Sequence, residues 1–171
     1  MKVFISYHRA DTKYRDKVVT LLKKNGVEYY VVPKNVNYDG LHHQHIVDII
    51  NKNMNDCDVL ICIVGKETFS RPHVDWELFY ALKGGINLRK GILVIMLEER
   101  GDSKNKIDYD TFPNRLQDNP QYIVLEQFSS LKNRILGALD TAALNSRNIS
   151  LAVSNNRSPM ELRKGKYYTV N

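Results

Sequence analysis

The sequence predicts an α/β fold in which five strands form one mostly parallel sheet with helices on both faces. Two observations lead to this prediction. Short apolar runs rich in β-formers alternate along the chain with amphipathic helical segments. The runs at residues 58–64 and 92–97 are almost wholly aliphatic, as is typical of strands covered on both sides. Strands that alternate with helices favour parallel pairing through right-handed crossovers.

The first half of the chain contains three of the predicted strands. Residues 3–7 form the first, and a helix follows over residues 12–25, capped by Asp11 or Thr12 and ended by Gly26. Residues 27–32 predict the second strand and residues 42–54 the second helix. Residues 58–64 then predict the third strand, which Gly65 ends.

The second half continues the alternation. The segment FSRPHVDWELFYAL at residues 69–82 contains the third helix, and residues 92–97 the fourth strand. After a long polar connection at residues 98–120, we expect a strand at 122–125 and a helix at 130–144. From residue 145 the composition changes to Asn, Ser, Arg and Lys. We therefore divide the chain into a domain at residues 1–144 and a polar, basic C-terminal tail at residues 145–171.

The composition suits a single domain with an ordinary core, since 43% of the 171 residues are hydrophobic. A net charge of +6 favours anionic partners, but the basic residues are scattered and match no nucleic-acid motif, so we do not expect nucleic-acid binding. No apolar stretch predicts a signal peptide or a membrane span. Cys57 and Cys62 are expected to be reduced core residues on opposite strand faces, and we expect the protein to be cytoplasmic.

Glu77 is an unusual charge inside an apolar helical run. On a helical projection Val74, Leu78, Ala81 and Leu82 form one buried stripe, and Glu77 falls roughly 40° from Ala81. The carboxylate therefore borders the core. Within this segment alone, a solvated glutamate on the helix flank is the simpler interpretation.

Several familiar sites are absent from the pattern. The turn at residues 6–11 contains no glycine, which excludes a dinucleotide fingerprint or a P-loop there. The third strand ends in Val64 and Gly65, where a response-regulator receiver would need a phosphoacceptor aspartate. The histidines at 42, 43 and 45, even with His8 or His73, lack carboxylate or cysteine partners at ligand spacing, so we predict no metal site.

Three polar segments remain at the carboxyl ends of the strands, at residues 6–11, 34–40 and 67–77. Parallel sheets bind ligands at that edge. The first segment also opens a helix, whose free amides and positive dipole end favour a pyrophosphate. Together the segments predict a nucleotide pocket.

Three motifs carry a resemblance to a known family. VFISYHRADTKYRDKVVTLLKKNGVEYY resembles the start of a TIR (Toll/interleukin-1 receptor) domain, and SRPHVDWELFYAL resembles the TIR segment whose Glu-Leu pair is here Glu77 and Leu78. TFPNRLQDNPQYIVL, with Arg115-Leu116 and Asp118-Asn119, is similar to the prokaryotic TIR-like family that includes ThsB of Thoeris antiphage defence. The resemblance covers about residues 2–140.

The resemblance implies a flavodoxin-like sheet at residues 1–144 and, in enzymatic members, NAD cleavage with Glu77 in the catalytic position. It implies release of nicotinamide and production of a signalling nucleotide, often a cyclic ADP-ribose isomer, that activates a separate effector. NAD is then a substrate, and no cofactor is expected. By position at the rim we assign substrate contacts to eight residues: Ser6, Tyr7, His8, Asp11, Asn35, Asp39, Ser70 and Trp76. Tyr7 or Trp76 would stack on nicotinamide or adenine.

One departure from the family pattern bears on the partner surface of receptor-type TIR domains more than on the catalytic position. The segment after the second strand, Pro33-Lys34-Asn35 with Asp39-Gly40, lacks the Arg-Asp-Xaa-Xaa-Pro-Gly pattern of receptor and plant TIR domains. A non-catalytic TIR-like module that acts by self-association or by binding a partner, including a phage-derived trigger, is the second hypothesis.

Overall fold

The computed structural model describes residues 1–32, 43–84, 88–102 and 106–161. Its single sheet is wholly parallel and has the strand order 2-1-3-4-5. This arrangement confirms the predicted α/β, flavodoxin-like class. The strands are β1 (Lys2–Tyr7), β2 (Glu28–Val31), β3 (Val59–Val64), β4 (Gly91–Met96) and β5 (Val124–Gln127).

Helices cover both faces of the sheet. They are α1 (Thr12–Lys24), α2 (His43–Met54), α3 (Pro72–Leu82), α4 (Asn114–Gln117) and α5 (Leu131–Arg147). Side chains of α1 and α5 pack with one face of the sheet, and those of α2, α3 and α4 with the other. The short α4 lies inside the segment for which the sequence predicted only a polar connection.

The alternation of side chains along β1 decides which residues reach each face. Val3 and Ile5 belong to the core beneath α1 and α5, whereas Phe4 belongs to the core beneath α2 and α3. Ser6, two positions after Phe4, therefore faces the same side of the sheet as α2 and α3. Cys57 precedes β3, so strand alternation does not set the direction of its side chain. Both Cys57 and Cys62 belong to the core beneath α2 and α3, and the expectation that they face opposite sides was wrong.

The C-terminal part of the chain lies against the domain. Helix α5 continues to Arg147, past the predicted end at residue 144. Residues 148–161 form neither helix nor strand, but Leu151 and Val153 pack against the core beneath α2 and α3. None of the helices in the described residues is both long and apolar enough to cross a bilayer.

Candidate active site

Ser6 and Glu77 meet at the carboxyl edge of the sheet. Ser6 lies near the end of β1, in register with Cys62 of β3, and both side chains are fully buried. Helix α3 follows β3 after a short connection, and its second turn brings Glu77 near the Ser6 hydroxyl, which has no hydrogen-bond partner of normal geometry among the described residues. Glu77 is only 5% exposed. The carboxyl group is therefore inside the protein and is not the solvated flank residue of the simpler interpretation.

The surroundings of Glu77 disfavour its charged form. Burial raises the pKa of Glu77 to about 8, and the Ser6 hydroxyl opposes part of the rise. Within the described part of the chain, no cation contributes to lowering this pKa. Burial also raises the pKa of the Cys62 thiol, and the negative charge of the nearby Glu77 raises it further. A buried carboxylic acid without a structural counter-ion is typical of a functional site.

Two phenol groups are near enough to be affected by the charge of Glu77. Burial raises the pKa values of Tyr7 and Tyr30, and the Glu77 charge contributes to the rise at both. Tyr7 is half-buried, and the guanidinium carbon of Arg15 lies 4.9 Å from its ring centroid. Among the described residues, Nη2 of Arg15 has no hydrogen-bond partner. One side of the Tyr7 ring therefore contacts a buried cation.

Asp11 is a second buried carboxyl group at this edge. Its carboxylate makes no helix-cap hydrogen bond. It lies against Gly65 instead, where an added Cβ would be 2.6 Å from Asp11 Oδ2. Burial, followed by the charge of Glu99, raises the pKa of Asp11 to about 6, and a hydrogen bond with Thr68 opposes the rise. Asp11, one of the two predicted caps, therefore occupies the N-cap position of α1 without a side-chain cap hydrogen bond.

The outer rim is more polar. Burial lowers the pKa of His8 to about 4, with a further contribution from Arg71, so the imidazole is neutral at physiological pH. Arg71 pairs with Glu67, and the exposed Ser70 hydroxyl donates to the Glu67 carbonyl at 3.0 Å. The substrate contacts assigned to His8 and Ser70 stay predictions.

Trp76 is placed differently from its neighbour Glu77. Its side chain is 1% exposed within the core, and its Nε1 donates to the carbonyl oxygen of Met160 at 2.7 Å. The His73 and Trp76 rings are perpendicular, with 5.3 Å between their centroids. Because the Trp76 ring is covered in this structure, Tyr7 is the more accessible of the two rings assigned to stacking, and the substrate contact of Trp76 stays a prediction.

Other predicted residues lie outside the described part of the chain. Asn35 and Asp39 are among them, as is His42 of the histidine cluster. In residues 1–32, 43–84, 88–102 and 106–161, no group of three His, Cys, Asp or Glu side chains is arranged to hold a metal ion.

A family model described as Thoeris protein ThsB, TIR-like domain, matches residues 4–102, which is more than half of the chain. The chain belongs to this family. The match contains all but the first residue of the first motif and the whole of the second, and it ends before the segment TFPNRLQDNPQYIVL. It associates this TIR-like domain with Thoeris-type defence. No curated protein matches the sequence at a significant level.

Sequence reasoning missed the residues that support Asp11 in the TIR-like domain. The Gly65 N–H donates to Thr68 Oγ1 at 2.9 Å, and Arg100 Nη1 donates to the Gly65 carbonyl at 3.2 Å. Arg100 also donates to the carbonyl of Thr111 at 2.8 Å. Gly65 was visible in the sequence only as the end of a strand, and Arg100 only as part of a polar connection.

A groove in the TIR-like domain lies away from Glu77. Its volume is about 510 Å³, and it is lined by the C-terminal end of α3 and by residues from 149 to 156. Phe79, Leu82, Leu151 and Val153 are among its lining residues, whereas Glu77 and Ser6 are not. The groove is therefore separate from the candidate active site.

Proposed function

We propose that this TIR-like domain cleaves NAD at the bond between nicotinamide and ribose. The observation that supports the proposal is the buried carboxyl group of Glu77 beside Ser6, at the sheet edge where parallel α/β folds bind ligands. The family association with Thoeris defence supports a reaction on a signalling nucleotide precursor.

The reaction suits a single carboxylate. Nicotinamide leaves from a cationic pyridinium as a neutral molecule, so its departure requires no general acid. The ribose meanwhile develops oxocarbenium character, which a nearby anion stabilises. Because Glu77 has a pKa of about 8 in the free protein, a bound pyridinium cation would favour its ionisation as the substrate enters.

The product would carry the signal. In this proposal a hydroxyl of the substrate itself captures the oxocarbenium and loses its proton, which gives a cyclic ADP-ribose isomer that activates a separate effector. Capture by water would give linear ADP-ribose instead. A pocket that holds the substrate in a folded conformation favours the internal nucleophile.

The first prediction concerns Glu77→Gln, which removes the charge and keeps the shape. We expect nicotinamide release in lysates of phage-infected cells to fall at least a hundredfold, because the oxocarbenium loses its stabilising anion. Liquid chromatography with mass spectrometry measures nicotinamide and the ADP-ribose product together.

Glu28→Gln is the matched control, because Glu28 is exposed at the start of β2, at the opposite edge of the sheet. Its activity should equal that of the wild type. Unchanged nicotinamide release from Glu77→Gln, with both variants folded by circular dichroism, would contradict the catalytic role. Infected cells in which the wild type consumes no NAD would favour the non-catalytic module.

A further inference from the structure

Three consecutive residues of α3 face three different surroundings. Glu77 faces Ser6, Trp76 lies in the core and Asp75 contacts Arg115 of α4. At about 100° per residue, Asp75 and Glu77 are on nearly opposite sides of the helix. A contact that fixes Asp75 therefore also fixes the rotation of α3 that presents Glu77 to the strand ends.

Asp75 and Arg115 form a buried ion pair. Arg115 Nε lies 2.8 Å from Asp75 Oδ1, and Arg115 Nη2 donates to Asp75 Oδ2 at 3.3 Å. The two side chains are 1% and 8% exposed, for Arg115 and Asp75 respectively. Each charge of a buried ion pair is stabilised by the other, because loss of one partner leaves the other charge buried and uncompensated.

Arg115 connects this pair to the C-terminal segment, residues 154–160. Its Nη1 donates to Asn155 Oδ1 at 2.7 Å, and its Nη2 donates to the Arg157 carbonyl at 2.9 Å. Its guanidinium also lies over the Phe79 ring of α3 at 4.9 Å. A single buried cation thus joins α3, α4 and the C-terminal segment.

The C-terminal segment also bonds directly to α3. The backbone N–H of Met160 donates to Asp75 Oδ2 at 2.8 Å, and the Met160 carbonyl accepts the Trp76 indole N–H. Asn155 Nδ2 donates to the Phe79 carbonyl at 3.0 Å. These bonds join the segment to α3 on both sides of Glu77 in the sequence.

The motif Arg115-Leu116 with Asp118-Asn119 supplies the remaining contacts. Asn119 exchanges hydrogen bonds with the backbone of Ser154, each at 2.8 Å, and Asp118 accepts from Arg157 at 2.8 Å. Leu116 is fully buried in the core. Every member of the motif therefore takes part in holding either the core or the C-terminal segment.

We propose that Asp75, Arg115 and residues 154–160 form a clamp that sets the rotation of α3 and so positions Glu77 at the sheet edge. Asp75 and Arg115 are positioning residues in this proposal, which rests on the proposed function for its catalytic readout. The C-terminal residues that the composition marked as a tail are then part of the unit that carries the reaction.

The test uses full-length Asp75→Asn and Asn155→Ala. Asp75→Asn keeps an oxygen for the Met160 N–H but removes the charge beside Arg115, and Asn155→Ala removes one acceptor of Arg115 and one donor to α3. Asp140→Asn is the control, because Asp140 is exposed on α5. We expect kcat for nicotinamide release to fall roughly tenfold to hundredfold with KM nearly unchanged, because small displacements of a catalytic group cost that much.

A second readout does not depend on turnover. Difference infrared spectroscopy against Glu77→Gln follows the ionisation of the Glu77 carboxyl group, whose midpoint we expect to move down in both clamp variants. Folded variants with unchanged kcat and an unchanged midpoint would overturn the clamp. If Asp75→Asn does not fold, the milder Asn155→Ala decides. If the wild type releases no nicotinamide, the proposed function fails, and the Glu77 midpoint alone decides the clamp.

Discussion

Glu77 lowers the stability of the folded protein at the pH where it would act. A carboxyl group taken from water into the interior loses the solvation that favours its charged form, and the Ser6 hydroxyl opposes only part of that loss. The folded protein therefore holds this proton to a higher pH than the unfolded chain does. Such destabilised groups are retained where their chemistry is needed.

The second prediction follows from the sign of this pKa shift. Between the ordinary value of 4.5 and the folded value of about 8, the unfolded chain loses the Glu77 proton first. Stability contributed by the protonated carboxyl is complete below 4.5 and declines as the pH rises toward 8. Glu77→Gln does not titrate. We expect the free energy of unfolding of Glu77→Gln, relative to the wild type, to increase between pH 5 and pH 8.5 by several kcal/mol, since each pKa unit is worth about 1.4 kcal/mol.

Urea unfolding of the two proteins at both pH values measures this difference directly. Asp11, with a pKa of about 6, titrates in the same range but is present in both proteins and cancels. A difference between the two proteins that stays constant with pH would show that Glu77 is solvated in the folded state.

At the scale of elements, the approach of α5 to β4 depends on a glycine. A Cβ on Gly91 would lie 2.2 Å from the carbonyl oxygen of Ala142, a backbone atom that moves only if the helix moves. Gly137 is the glycine within α5, and it lies on the exposed side of that helix, with open space around an added Cβ. The two glycines therefore have opposite roles.

The third prediction compares Gly91→Ala with Gly137→Ala. We expect Gly91→Ala to lower the free energy of unfolding by about 1–3 kcal/mol or more, because α5 must shift to admit the methyl group. Gly137→Ala should raise it by about 0.5–1 kcal/mol, because alanine loses less backbone entropy in a helix. Thermal unfolding of each variant gives the sign. A neutral Gly91→Ala would mean that α5 is free to move from β4.

In helix α3 the sequence pattern predicted the buried stripe but not the surroundings of Trp76 and Glu77. The helical projection identified the stripe of Val74, Leu78, Ala81 and Leu82, all of which are buried. The projection placed Glu77 at the border of the buried stripe, but the ends of β1 and β3 also cover the side of the helix that carries Glu77. It also could not separate Trp76 from the site, because the carbonyl of Met160 that accepts its N–H is 84 positions away.

At the scale of the whole molecule, the candidate active site and the clamp are joined by one helix. Neither face of α3 can change without affecting the other, since Asp75 and Glu77 belong to the same turns. If the domain acts by producing a signal, its effect in the cell should depend on catalysis and not on its surface alone.

The fourth prediction tests that dependence in phage-infected cells. We expect Glu77→Gln to lose protection as completely as deletion of the protein, while Glu28→Gln protects as the wild type does. Survival after infection and the nucleotide content of the same cells are measured together. Protection that survives in Glu77→Gln would instead support self-association or partner binding as the mode of action.

The sequence by itself determined the parallel α/β sheet, its central strands and the placement of Glu77 near the sheet edge, because hydrophobic periodicity reports local structure and burial. Only the tertiary structure decided that Glu77 is buried, that Asp11 lies against Gly65 and that Arg115 joins α3 to residues 154–160. These facts depend on contacts between residues far apart in the chain. No local pattern carries such contacts, since the free energy of a buried charge is set by what surrounds it in space.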